Sequence, residues 1–103
     1  MSAPGRSGQV RERVGAELER VVRRWQQLPL DHALSASPAV HDLVQSLADQ
    51  VADAEGMPHT PVPDLGPAVL ADQLRVMVFD HDQAGLDPAA VAGRLTALRR
   101  TIG

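Results

Sequence analysis

The sequence predicts an all-α protein, a compact four-helix bundle with helices over about 10–28, 38–55, 67–84 and 88–102 and a proline-rich connector at 56–66. Three observations carry that expectation. Apolar residues recur at steps of three and four through most of the chain, the spacing of one helical face. Proline follows a plausible cap residue at Ser37-Pro38, Gly66-Pro67 and Asp87-Pro88, and proline suits the first helical position because its φ is already helical and its missing N–H would be unpaired there anyway. The only short run that a strand would accept, 74–79, has no second run to pair with.

The first helix has the plainest pattern. Val10, Val14, Leu18, Val21, Trp25 and Leu28 step 4, 4, 3, 4, 3, and charged residues fill the other faces. Pro29 ends it, since the residue before a proline is pushed out of the α region. Leu30, Ala33 and Leu34 suggest a brief helical turn before Ser37. The second helix carries Val40, Val44, Leu47, Val51 and Ala54, with Gly56 placed to close it in the left-handed region. Pro67 opens the third helix and Gly85 closes it; the fourth carries Val91, Leu95, Leu98 and Ile102. Residues 1–9, small and polar with two glycines and a proline, read as a disordered tail ahead of a single domain over 10–103.

Topology is fixed only in part. The eleven connector residues, GMPHTPVPDLG, reach about 30 Å if extended at ~3.1 Å per residue, about the length of the preceding helix. The third helix could then run parallel to the second, with Val62 and Leu65 laying the connector along the bundle. An antiparallel pair with a bulging loop satisfies the sequence equally well.

Composition excludes several chemistries. There is no cysteine and all ten basic residues are arginine, so disulfides, thiolate metal sites, a thiol nucleophile and lysine Schiff-base or Walker chemistry are absent. One Trp, one Phe and no Tyr leave no aromatic platform for stacking bases. Residues 1–24 carry six Arg against three Glu, residues 25–93 one Arg against ten acids, and residues 94–103 three Arg, so basic ends flank an acidic middle. Arg13, Arg20 and Arg24 share a face, with Arg6 ahead of them, but Glu17 lies in that stripe and the pI is about 5.7. A self-paired, solvated face is the expectation, with no nucleic-acid partner. The chain start lacks the apolar core of a secretory signal and no apolar stretch is long enough to span a bilayer. A cytoplasmic protein without a membrane partner is expected, and the arginine, alanine and valine usage suits a GC-rich bacterial coding sequence.

Four features invite a functional reading. The pairs Asp31-His32, His41-Asp42 and Asp80-His81-Asp82 supply metal-ligand chemistry, and His41 with Asp80, His81 and Asp82 would form a site if the second and third helices brought them together. No ligand spacing recurs along one helix face, so solvated histidines at helix ends are the favoured reading and no metal or cofactor is expected. Ser37 and His41, one turn apart, lack a third group to orient them and an oxyanion site, so no catalytic set emerges. Pro58 to Pro61 has a PxxP form but reads first as a rigid spacer. The third helix is apolar on more than one face, through Val69, Leu70, Leu74, Val76, Met77, Val78 and Phe79. Such a helix is either covered within the bundle or meets another chain. The sequence therefore points to a non-enzymatic interaction module or homodimer using the third helix, with Trp25, Val76, Val78 and Phe79 as the contact residues.

Overall fold

The computed structural model describes the backbone of residues 4–103 and the side chains of residues 8–103. The described chain is all-α: four helices, α1 Pro4–Gln27, α2 Leu30–Ala54, α3 Pro67–Gln83 and α4 Pro88–Ile102, with no strand. The described residues fall into two compact units. One holds α1 and α4; the other runs from Leu28 to Leu86 and holds α2, the connector and α3.

Two of the expected boundaries move. Helix α1 begins at Pro4, so six residues assigned to a tail are helical and only residues 1–3 lie outside the described backbone. A proline is accommodated in the first helical turn, where four N–H groups have no intrahelical partner in any case. Helix α2 begins at Leu30, and Pro38 lies inside it rather than at its start. Pro38 has no N–H to give the Leu34 carbonyl. One residue earlier, Ser37 turns from the expected cap to the helix interior, donating its hydroxyl to the Ala33 carbonyl at 2.7 Å. The short turn expected over 30–37 is thus the first two turns of a longer helix, with Ala33 buried and Leu30 and Leu34 exposed.

The remaining ends follow the chemistry of their residues. Gly56 and Gly85 take positive φ, 68° and 74°. Each closes its helix with a pair of reversed bonds: Met57 N–H to Ala52 O and Gly56 N–H to Asp53 O on α2, Leu86 N–H to His81 O and Gly85 N–H to Asp82 O on α3. This is the Schellman arrangement, which needs a residue tolerant of the left-handed region. Asp87 caps α4 by accepting from the Ala89 N–H at 2.9 Å.

Within the first unit α1 and α4 run in the same direction. Glu17 bonds Arg99, and seven residues further along α1 the Arg24 guanidinium lies 3.9 Å from where a side chain on Gly103 would begin. Val21, Val22 and Trp25 of α1 are buried, as are Val91, Ala92, Leu95, Leu98 and Ile102 of α4. Within the second unit α2 and α3 also run parallel, since Gln50 and His81, both near their helix ends, share a 2.9 Å hydrogen bond. Val40, Leu43, Val44, Leu47 and Val51 of α2 and Leu70, Ala71, Leu74 and Val78 of α3 are buried.

The connector makes the parallel pair possible. It returns along α2 until Val62 lies beside His41 and Gln45. Asp53 to His41 is about 18 Å of helix axis, and residues 56–62 in extended form span about 19 Å. The two lengths match, so the chain arrives at the start of α3 with nothing left over to bulge. Val62 is half-buried; Leu65, its expected companion, is exposed.

Candidate functional site

Helix α3 has two apolar faces, and they have different fates. Leu70, Ala71, Leu74, Val78 and His81 form the buried one. On the other side Asp72, Val76, Phe79 and Gln83, stepping 4, 3, 4, form an exposed stripe, with Val76 55% and Phe79 62% accessible. Arg75, the one basic residue between Leu28 and Leu86, lies on its flank and is exposed. Of the four contact residues expected from sequence, Val76 and Phe79 are at the surface. Trp25 and Val78 are each only 7% accessible and serve the interior instead. The reason for Val78 is angular: it lies four residues from Leu74 and so on the buried face, whereas Val76 and Phe79 are turned away from it.

The histidine and aspartate residues of α2 and α3 do not converge. Among the described residues no three His, Asp or Glu side chains come together as metal ligands. His41 is half-buried and its Nε2 donates to the Val62 carbonyl at 3.0 Å. His81 is buried, with its Nε2 donating to Gln50 Oε1. Gln50 is nine residues from His41, about 13 Å along α2, so the two imidazoles serve different stretches of the pair. Asp80 and Asp82 flank His81 on α3, and both are half-buried.

The fourth histidine, which has no acidic neighbour in sequence, meets two carboxylates. His59 Nε2 lies 2.7 Å from Asp53 Oδ1 and its Nδ1 3.7 Å from Asp49 Oδ1. The Asp53 hydrogen bond does most to raise the His59 pKa above its ordinary 6.5; burial opposes it, and the charges of Asp49 and Asp53 reinforce it. Gln45 donates to Asp49 at 2.9 Å and to the Thr60 carbonyl at 3.1 Å, and accepts from the Val62 N–H at 2.7 Å. His41, Gln45, Asp49 and Asp53 thus form a polar row at four-residue steps along α2, and every member holds the connector directly or through the next. From α3, Gln73 donates to the Pro63 carbonyl at 3.1 Å. The signal was in the sequence as a polar i, i+4 series beside the apolar one, facing a segment too rich in proline to pair its own backbone.

The other polar centre is Glu17, 6% accessible and held from two sides. Arg99 Nε donates to its Oε2 at 2.8 Å, and Arg20 Nη1 to its Oε1 at 3.3 Å. The Arg99 hydrogen bond lowers the Glu17 pKa most. Burial opposes it, and the charges of Arg99 and Arg20 reinforce it. Thr96 lies beside the carboxylate and contributes least, its buried hydroxyl making no hydrogen bond of good geometry.

No family model matches the sequence, and no curated protein or solved structure matches it either. No described helix is long and apolar enough to cross a membrane.

Proposed function

We propose that this protein is a non-enzymatic interaction module that pairs with a second copy of itself through the outer face of α3. The observation that carries the reading is the exposure of Val76 and Phe79, adjacent on one stripe with polar residues at both ends. Large apolar side chains exposed together are the usual mark of a contact surface, and an aromatic one is the common energetic anchor. The stripe is also self-complementary. In an antiparallel pairing centred between Met77 and Val78, Val76 lies opposite Phe79 of the second copy and Asp72 opposite Gln83. One two-fold operation therefore matches apolar to apolar and polar to polar, as an isologous contact requires. The parallel alternative sets Asp72 against its own copy, where like charges repel.

Sedimentation velocity from low to high micromolar concentration tests this. A concentration-dependent dimer is expected, and Phe79→Glu returns it to monomer while the helical content and melting of the monomer stay as they were. Monomer alone at high micromolar concentration overturns the proposal.

A further inference from the structure

The unit formed by α1 and α4 presents a second surface of a different kind. Residues 1–27 and 87–103 hold nine of the ten arginines and four acids, a net +5, inside a chain whose total is −3. Burial of Glu17 redistributes that charge. Its carboxylate was the acid that would have neutralised the Arg13, Arg20 and Arg24 stripe; it is turned inward and engaged by Arg99 across the seam between the helices. Arg13 and Arg24 remain exposed on α1, and Arg20, which also bonds the carboxylate, keeps its side chain 58% accessible. At 100° per residue, Arg13, Arg20 and Arg24 lie within about 60° of Glu17, on the edge of α1 nearest α4, whereas Glu12 and Glu19 point to the opposite side. The seam therefore carries a row of guanidinium groups about 16 Å long on one rigid helix, with Arg99 alongside and one buried carboxylate beneath.

We infer that this α1–α4 seam binds the phosphate backbone of double-stranded nucleic acid, without reading its sequence. Two features select that partner. Every large apolar side chain exposed among the described residues (Leu30, Leu34, Met57, Leu65, Val76 and Phe79) belongs to the other unit, so the seam has neither the apolar anchor of a protein hot spot nor the apolar face of a membrane-surface helix. A phosphate row needs none: guanidinium groups on a rigid support match it in charge and bidentate geometry. Trp25 is buried, so base stacking is not part of the contact. The chain-wide pI, which argued against this partner, averages over the acidic second unit and does not describe the seam.

Fluorescence anisotropy of the full-length protein with a short labelled DNA duplex, from 20 to 200 mM salt, tests the inference. Contact with three or four phosphates predicts weak binding that falls with salt at a log–log slope of about −3. Arg13→Ala with Arg24→Ala weakens binding and reduces the slope by about 2. Arg11→Ala, on the other side of α1, leaves both nearly unchanged. Duplexes of unrelated sequence bind alike. No binding at 20 mM salt overturns the inference, and so does an equal loss from Arg11→Ala, which would mean that net charge alone is sensed. Polyglutamate of matched charge competing as well as duplex, or anionic vesicles binding where duplex does not, overturns it in favour of a different partner. The duplex assay uses Phe79→Glu as an arm as well: binding unaffected by that change separates this surface from α3 self-association.

Discussion

The α1–α4 unit and the α2–α3 unit are both parallel helix pairs with mainly aliphatic interiors, yet their surfaces share almost nothing. The first carries +5, buries one carboxylate under arginines and exposes no large apolar side chain among its described residues. The second carries one arginine against nine acids, a net −8, and exposes all six of the large apolar residues. Basic ends flank an acidic middle along the chain, and the fold joins the two basic ends in one unit, with Glu17 engaged by Arg99 of α4 and Arg20 of α1. What the contrast teaches is that similar apolar periodicity, which builds all four helices, says nothing about what the other faces are for.

The sharpest way to break the comparison is through the cores, where the two units should behave alike. Leu95 in the first and Leu74 in the second are both essentially inaccessible. Leu95→Ala and Leu74→Ala should each destabilise by about 2–5 kcal/mol, from lost transfer free energy and the cavity left behind. Urea unfolding measures both. A cost below ~1 kcal/mol at either position would show that its surroundings collapse freely onto the cavity, and the likeness of the two interiors would then fail.

Glu17 should separate the units. Replacing it with Gln keeps the shape but removes the charge that Arg99 and Arg20 share, so Glu17→Gln should cost about 1–3 kcal/mol. The exposed Asp72→Asn should change stability by no more than ~0.5 kcal/mol. The acid dependence follows from the direction of the shift. The folded pKa of Glu17 lies below its ordinary 4.5, so its contribution is complete above that value and is lost as the pH falls through the lower folded pKa. Melting temperature measured downward from pH 5 should fall less steeply for Glu17→Gln than for the natural protein; identical slopes would remove Glu17 as the source.

Most of the helical architecture was legible because each helix obeys local rules. Val91, Leu95, Leu98 and Ile102 were read as one stripe and are all buried, and Gly56, Gly85 and Asp87 terminate helices as their chemistry requires. The Ser37-Pro38 start failed because the same two residues are compatible with a helix that runs through them, given a carbonyl left without a donor. The α2–α3 direction was not readable because the connector's length permits both arrangements; the deciding contacts are side chain to backbone, from Gln45, His41 and Gln73. The apolar excess on α3 is visible in a list of residues, but its division is not: Val76 and Phe79 lie at the surface while Val78, like Trp25 of α1, is buried. Hydrophobicity alone does not distinguish a face turned inward from one turned out.

The reversals at Gly56 and Gly85 give a smaller effect, confined to the second unit. Both glycines have open space where a Cβ would stand, so an alanine meets no atom and the cost is that of the left-handed backbone alone. Gly56→Ala and Gly85→Ala should each destabilise by about 1 kcal/mol. Because the Gly56 turn aims the connector back along α2, its substitution should also raise hydrogen exchange at the Val62 amide, which Gly85→Ala should leave protected. Equal protection in both variants would mean that the polar row on α2, not the turn, sets the connector's path.

His59 supplies the finest distinction between the units, because it makes the second unit respond to pH in the opposite sense from the first. Its side chain is half exposed and its partners Asp49 and Asp53 are wetted, so solvent screens the attraction and the effect on stability is the smallest of the set. Its direction is nonetheless determined. The folded pKa is raised above 6.5, so the contribution is complete below 6.5 and is lost as the pH rises through the higher folded value. Glu17 loses its contribution on acidification and His59 on alkalinisation, so the two units weaken at opposite ends of the pH range. The connector should register this unevenly. His59 depends on its own charged imidazole, whereas Thr60, Val62 and Pro63 are held by the neutral amides of Gln45 and Gln73, and Val62 also by His41. Amide exchange followed from pH 6 to 8.5, corrected for intrinsic rates, should therefore rise at His59 before Thr60 and Val62. His59→Gln should abolish the difference between low and high pH. Exchange that rises together at all three amides would instead make the connector a single cooperative strap, anchored by the whole row from His41 to Asp53.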